Sequence, residues 1–422
     1  MKIKNTLGNN VCVGIDIGTT KVCCVVGEVN LDNNIEIIGL GISHSYGLKK
    51  GSVIDIDKTI NSIEEAIEKA EKMSGKKISE ATIGISGDHI ISMNTQGVIG
   101  ISKNGQPVSD ENEITSFHVD QVLNQARSVT FPADREILHS IPQEFVIDQQ
   151  AGIKNPIGMV GRRLEAHVHL ISCDTSASKN LKKCVEEAGV IPSRLVYQSL
   201  GSAEAVLEKH EKDLGVVLVD IGGGTTDICI FFDGEVRHSA VIGLGGDNIS
   251  NDIAAITQIS KDEAESIKIK FGSAKANMVS DELKIELRSK GIEKIKKESE
   301  KQISIYIEAR MTEIFKMVNH EISRANIETP YPLNIVLTGG GSQLKNLCLL
   351  GQEVFKSKVK IGIPNGLSKL ANITASPIHS TAIGLINHPD VIFYDQKLKR
   401  KIVPNGISKG IDNILEWFKE FF

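Results

Sequence analysis

Two stretches of the chain share one plan, and that plan narrows the folds open to it. "VCVGIDIGTTKVCCVVGEV" (11–29) runs as an apolar strand pattern into Asp16, Gly18, Thr19, Thr20 and Lys21, then turns apolar again. "VVLVDIGGGTTDICIFFDG" (216–234) does the same through Asp220, Gly222, Gly223, Gly224, Thr225, Thr226 and Asp227. Short β-branched runs bounded by glycine read as strands, so each stretch is predicted as a β-hairpin with a glycine-rich tip. A P-loop or a dinucleotide fingerprint opens a helix after its glycines, whereas here a strand follows. The same unit recurring about half a chain apart marks an internal duplication. It predicts two lobes, each beginning with one hairpin.

The composition of the tips indicates their chemistry. Glycines let backbone N–H groups approach an anion with no side chain in the way, and the threonines add hydroxyl donors. Asp16 and Asp220 would repel a bare phosphate and make sense with Mg²⁺ held through water; Asp227 supports the second loop. One such loop alone is equally an ordinary glycine-rich turn. A third piece, "LNIVLTGGGSQLKNL" (333–347), takes a buried strand into Gly339, Gly340, Gly341 and Ser342 and then into a helical pattern. That suits a nucleoside and its first phosphate near a helix N-terminus.

With the three pieces in this order, the sequence resembles the actin-like ATPase superfamily. Within it, the resemblance is to the FtsA-like bacterial cell-division proteins, over nearly the whole chain. The narrower resemblance rests on "GISGDHIISMNTQGVIGI" (84–101), "ILHSIPQEFVIDQQAGIKNPIGMVGRRLEAHVH" (137–169), "SLGSAEAVL" (199–207) and "LGGDNISNDIA" (244–254). It implies an α/β, actin-like two-lobed ATPase fold with an FtsA-type subdomain inserted in the first lobe. The expected order is 1–83 and 166–205 for the first lobe and 84–165 for the insert. The second lobe takes 206–390, with a helical subdomain at about 250–330, followed by a linker at 391–406 and a terminal amphipathic helix at 407–422.

The resemblance also implies ligands and partners. ATP with Mg²⁺ would lie between the two tips, with Gly245, Gly246, Gly339, Gly340, Gly341 and Ser342 lining the nucleoside side. Glu265 and Lys268, one helical turn apart, would contact the adenosine. Arg310 and Glu313 fall on one face of "YIEARMTEIFKMV" (306–318). They are either an intrahelical ion pair or, as the family implies, part of the groove for the C-terminal tail of the tubulin-like protein FtsZ. The insert would contact later division proteins, and the chain would assemble into filaments. No residue stands out to activate an attacking water, so weak or absent ATP turnover is expected. A pilus-assembly ATPase and a small-molecule kinase of the same build are the alternatives.

The chain's end changes character. "KLKRKIVPNG" (397–406) is basic and ends in helix breakers. At about 100° per residue, Ile407, Ile411, Ile414, Leu415, Trp417, Phe418, Phe421 and Phe422 share one broad face of the helix that follows. An aromatic-rich helix behind a basic linker fits a membrane-surface anchor, with a helix docked on its own lobe as the other reading; the resemblance implies the cytoplasmic side of the inner membrane at the division septum.

Composition limits the rest. A length of 422 residues exceeds one ordinary core. The net charge of −5 gives no general drive toward nucleic acid. No apolar run reaches the length of a transmembrane helix, and "MKIKNTLGNN" (1–10) lacks the apolar core of a signal peptide. Cys12, Cys23, Cys24, Cys173, Cys184, Cys229 and Cys348 mostly sit in strand patterns without C-x-x-C spacing and read as free thiols. His167 and His169 share a strand face, but no third metal ligand is evident. The charged stretch "DELKIELRSKGIEKIKKESEKQ" (281–302) reads as a solvated surface helix.

Overall fold

The computed structural model describes residues 11–30, 34–101, 113–128, 132–287, 296–329, 331–364 and 374–387. Both hairpins form. Val11–Ile17 pairs antiparallel with Lys21–Val29, and Val216–Ile221 with Thr226–Phe232. Each gains a third antiparallel strand on one side, Ile35–His44 in the first lobe and Glu235–Ile242 in the second. Two parallel strands follow on the other side: Glu80–Ile85 and Ile191–Tyr197 in the first lobe, Asn334–Thr338 and Val359–Ile361 in the second. Counted within its own lobe, each five-stranded sheet has the order third–second–first–fourth–fifth. The repetition visible in two loops is therefore a repetition of whole sheets. Parallel strands need both faces covered, and Val216–Ile221 is buried at every position.

Helices Gln198–Val206 and Ser380–Asn387 join the lobes. The first packs on the second-lobe hairpin and the second on the first-lobe hairpin. They touch each other at Gly201 and Gly384, where a Cβ on Gly384 would stand 1.6 Å from the Gly201 carbonyl oxygen. Only glycine allows that approach. At the end of the strand Ile191–Tyr197, the buried Tyr197 hydroxyl donates to Ala240 O of the second lobe at 2.9 Å. On the first sheet's face lies helix Ile56–Ser74. Asp55 caps its N-terminus by accepting from Lys58 N, and Gly75 ends it in the left-handed region (φ 67°).

The insert is a separate antiparallel sheet, in the order Ile91–Gly100, Arg163–Asp174, Arg135–Ile147, Gln150–Ile153. Helix Ser116–Arg127 covers it. It has its own core, with Leu123, Leu164, Val168 and Leu170 buried together. Its strand Arg163–Asp174 runs through residue 165 and leads directly into the first-lobe helix Thr175–Glu187. The insert also grips the second lobe's edge strand. Gln143 Nε2 donates to Val236 O at 2.7 Å and Asn94 Nδ2 to Arg237 O at 3.1 Å. His169 is buried in the same seam: its Nδ1–H donates to Asn94 Oδ1 at 2.7 Å, and Nε2 accepts from the Ser239 hydroxyl at 2.9 Å.

One expectation is corrected. Within the charged stretch 281–302, Lys284–Leu287 is a strand rather than a helix and pairs antiparallel with Lys296–Ser299. Ile285 and Leu287 are buried while Lys284 and Glu286 are exposed, a period of two that the high charge hides. The helix starts only at Glu300, capped by Ser299, and runs to Arg324. All seven cysteines are free thiols, and Cys23, Cys24, Cys173, Cys184 and Cys229 are buried. The linker 391–406 and terminal helix 407–422 lie outside the described residues.

Candidate nucleotide-binding cleft

The two tips close in the same way: Gly18 N donates to Lys21 O, and Gly222 N to Thr225 O, each at 2.9 Å. They face each other across the lobe boundary. A Cβ on Gly223 would stand 2.3 Å from Thr20 Cγ2, and one on Gly224 would stand 2.5 Å from Thr19 Oγ1. The glycines are thus fixed by the opposing lobe's threonines as well as by any anion their N–H groups could take.

Three buried carboxylates lie behind the tips. Asp16 receives Lys21 Nζ at 3.0 Å and Gln198 Nε2 at 2.9 Å. Asp220 Oδ2 accepts from Ser202 Oγ at 2.5 Å and Thr381 Oγ1 at 3.2 Å. The helix crossing at Gly201 and Gly384 explains that pair, since it places Ser202 and Thr381 3.0 Å apart over one carboxylate. Asp227 accepts from Thr225 Oγ1 at 2.9 Å and from Ser86, a first-lobe residue. Burial pushes the Asp220 carboxyl up to about 6, against the hydroxyl of Ser202. It pushes Asp227 up to about 7, and the neighbouring Asp220 adds to the effect. Burial works against the Lys21 ammonium, yet Asp16 holds its pKa above the ordinary value. Two buried second-lobe carboxylates, Asp220 and Asp227, whose hydrogen bonds do not offset burial, facing Asp16 of the first lobe, suit a divalent cation. The glycine cradle beside it suits a polyphosphate.

The second tip rests on a helix start. Gly246 N donates to Gly222 O and Asp247 N to Gly223 O, each at 2.9 Å; both residues begin helix Gly246–Thr257. Lys268 Nζ reaches Gly246 O at 2.9 Å and Glu265 Oε2 at 2.7 Å, and Ser250 donates to the same Glu265 oxygen. Glu265 and Lys268 therefore join Gly245 and Gly246, as the sequence suggests. Thr226, by contrast, turns its hydroxyl to Leu244 O at 2.9 Å.

The third glycine loop also converges here. Thr338 pairs beside Asp220 in the sheet, and a Cβ on Gly339 (φ 80°) would stand 2.2 Å from Asp220 Oδ1. The local form differs from the expectation. Gly340–Gln343 makes a single 3₁₀ turn, and the helix begins only at Leu347. Ser342 Oγ closes that turn onto Gly339 O at 2.7 Å. Gly341 packs against Ile221, while the space above Gly340 is open.

Arg310 and Glu313 are not part of the cleft. Arg310 makes a two-pronged contact with Asp252, at 2.6 and 2.9 Å, and also reaches Glu313. The apolar positions of the terminal helix, Ile407 to Phe422, lie outside the described residues. Ser86, Gln198, Ser202 and Thr381 are site residues that the sequence reading passed over. The available signal was small polar residues inside a buried helix: Ser199 and Ser202 are both fully buried in Gln198–Val206.

Two lobes on duplicate sheets, with facing glycine-rich tips, define an actin-like fold. Among solved structures, the chain is similar to a PilM–PilN type IV pilus biogenesis complex (TM-score 0.65, 16% identity, covering 89% of this chain and 97% of that one). It is also similar to MreB5 of Spiroplasma citri bound to AMPPNP (TM-score 0.52, 16% identity, covering 93% and 98%). The family description "Cell division protein FtsA" matches residues 217–384, and "SHS2 domain inserted in FTSA" matches 87–172. Cell division protein FtsA of Pseudomonas aeruginosa is 41% identical, covering 89% of this chain and 88% of its own. The proteins of the same name from Borreliella burgdorferi (36%, covering 98% and 100%) and Escherichia coli (35%, covering 97% and 98%) match almost end to end. The chain belongs to the FtsA family of cell division proteins.

Proposed function

We propose that the chain binds ATP with Mg²⁺ between its lobes, polymerises on the cytoplasmic membrane and anchors FtsZ filaments there. The observation that carries the nucleotide reading is the contact of the two tips, Gly223–Gly224 against Thr19–Thr20, with Asp16, Lys21 and Asp220 directly behind. The first-lobe tip would hold the phosphates from one side through Gly18, Thr19, Thr20 and Lys21. Gly222 to Thr225 would hold them from the other. Asp16 and Asp220 would position the cation through water, and Glu265, Lys268 and Gly339 to Ser342 would face the nucleoside. The bound cation would offset the charge of the buried carboxylates.

FtsZ-tail binding is assigned to the helix Glu300–Arg324 around Arg310 and Glu313, membrane attachment to the helix predicted at 407–422, and recruitment of later division proteins to the insert. Filament formation is proposed from membership of the FtsA family and the actin-like fold. Among the described residues no helix is long and apolar enough to cross a membrane. Calorimetry with Mg²⁺ and ATP on the parent and on Gly223→Val tests the nucleotide assignment. Co-sedimentation with FtsZ filaments and flotation with liposomes test the other two. A phosphotransfer screen against small acceptors separates the kinase alternative.

A further inference from the structure

We propose that Lys50 is a further binding residue of the cleft, one that takes the terminal phosphate of a nucleoside triphosphate. This rests on the nucleotide reading above and adds a residue that no glycine motif contains.

The stretch "GLKKGSV" (47–53) folds as a small hairpin in which Leu48–Lys49 pairs with Ser52–Val53. Lys50 and Gly51 form its two-residue turn, with φ of 50° and 80°. Such turns require positive φ at both positions and favour Asn-Gly or Gly-Gly. A lysine there is a costly choice for a turn, and residues held in that region cluster at binding sites.

The turn is fixed to the first-lobe tip. Gly51 N donates to Thr19 Oγ1 at 3.3 Å, and a Cβ on Gly51 would stand 2.4 Å from Ser86 O. From that base the Lys50 side chain crosses to the second lobe. Its Nζ lies 3.5 Å, and its Cδ 3.6 Å, from where a Cβ on Gly243 would stand. Gly243 leads into Gly245 and Gly246, which rest on the carbonyls of the second tip. Lys50 thus spans the two loops that meet at the cleft.

The other cleft cations are occupied: Lys21 by Asp16, and Lys268 by Glu265 and Gly246 O. Among the described residues, the Lys50 ammonium makes no hydrogen bond or ion pair. Asp88 is the nearby acid, its Cβ 3.6 Å from the same point over Gly243.

The position also selects the phosphate. Glu265 and Lys268 hold the Gly246 end of the 243–246 loop, the nucleoside side. Lys50 stands at the Gly243 end, on the turn whose Gly51 meets Thr19 and Ser86. A polyphosphate running from one end toward the other brings its terminal group, with the charge that distinguishes ATP from ADP, to Lys50.

The test titrates MgATP and MgADP into the full chain by calorimetry, for the parent, Lys50→Gly, Lys50→Asn and Lys50→Arg, with thermal melts alongside. Loss of a charge-assisted phosphate contact predicts an ATP affinity about tenfold lower in Lys50→Gly and Lys50→Asn, with ADP changed by less than about twofold. Lys50→Arg keeps most of the ATP affinity. Lys50→Gly also melts higher than the parent, because glycine relieves the turn. A merely structural lysine would not lose ligand while gaining stability. Equal losses for the two nucleotides, or no loss in a parent that binds ATP, overturn the assignment of Lys50 alone. A parent that binds neither nucleotide overturns the reading of the cleft, and Lys50 with it.

Discussion

Gly223 sits so close to Thr20 of the other lobe that a Cβ on it would stand 2.3 Å from Thr20 Cγ2. Gly223→Val therefore acts twice: it fills the backbone cradle and pushes the two tips apart. Overpacking of this kind costs about 1–3 kcal/mol, and here the cost falls on the closed, ligand-binding arrangement. Calorimetry should show ATP binding lost or weakened by that amount, with circular dichroism unchanged. Parent-like affinity would remove the second tip from the site.

Arg310 is tied to Asp252 by two hydrogen bonds and also contacts Glu313. Because Asp252 and Glu313 both hold the guanidinium, Arg310→Glu sets a third acid beside two others, and the melting temperature should fall. Affinity for an FtsZ tail peptide should drop by on the order of 1–3 kcal/mol. Asp252→Asn, which keeps the arginine but loosens its orientation, should lower tail affinity less. Unchanged tail binding in Arg310→Glu would return the residue to its role as a structural ion pair.

His169 gives the seam between insert and second lobe a pH dependence. Burial, and then the neighbouring His238, lower its pKa to about 3. The folded protein thus resists a proton that the unfolded chain accepts near 6.5. The associated stability is fully present above pH 6.5 and is lost as the pH falls toward 3. The loss is about 1.4 kcal/mol per pH unit below 6.5. His379, lowered to about 4, and His89, also lowered by burial, act in the same direction. Denaturant melts between pH 7 and 4.5 should show a shallower slope for His169→Gln than for the parent. Parallel slopes would mean that His169 does not carry the effect.

The terminal helix predicted at 407–422 makes a separable claim. Its eight large apolar residues gain up to roughly 1.5–3 kcal/mol each on full burial. Ordering a tail consumes much of that through lost chain entropy. A single copy should bind membrane weakly, and an assembly of many copies firmly. Trp417→Glu, or deletion after Pro404, should leave the protein in the soluble fraction in a liposome flotation assay while ATP binding persists. Flotation equal to the parent's would place the anchor elsewhere.

What the sequence showed and what it hid have physical causes. The hairpins are legible because strand, tip and strand are contiguous and the same unit recurs about half a chain apart. The pairing of Glu265 with Lys268 is legible as one helical turn, whereas the contact of Lys268 with Gly246 O shows only in the fold. Gln198, Ser202 and Thr381 are not legible, since each meets its aspartate only through tertiary packing, 182, 18 and 161 residues away along the chain. Nothing local to "SLGSAEAV" (199–206) says that Ser202 will cap Asp220. The hairpin at Lys284–Leu287 was missed because charge drew attention away from the alternation of Ile285 and Leu287. The helix expected directly after Ser342 begins only at Leu347, because strand–glycine–helix patterns do not reveal how many residues the intervening turn takes.

Nucleotide binding in this chain depends on one proposed arrangement: two tips, one from each lobe, closing on a single triphosphate. A crystal structure of the chain with Mg²⁺ and a non-hydrolysable ATP analogue examines it without intermediaries. The predicted result is phosphate oxygens within hydrogen-bond reach of backbone N–H groups from both Gly18–Thr20 and Gly222–Thr225, with the cation near Asp16 and Asp220. Phosphates that touch only one tip, or a nucleotide bound away from the cleft, would contradict it.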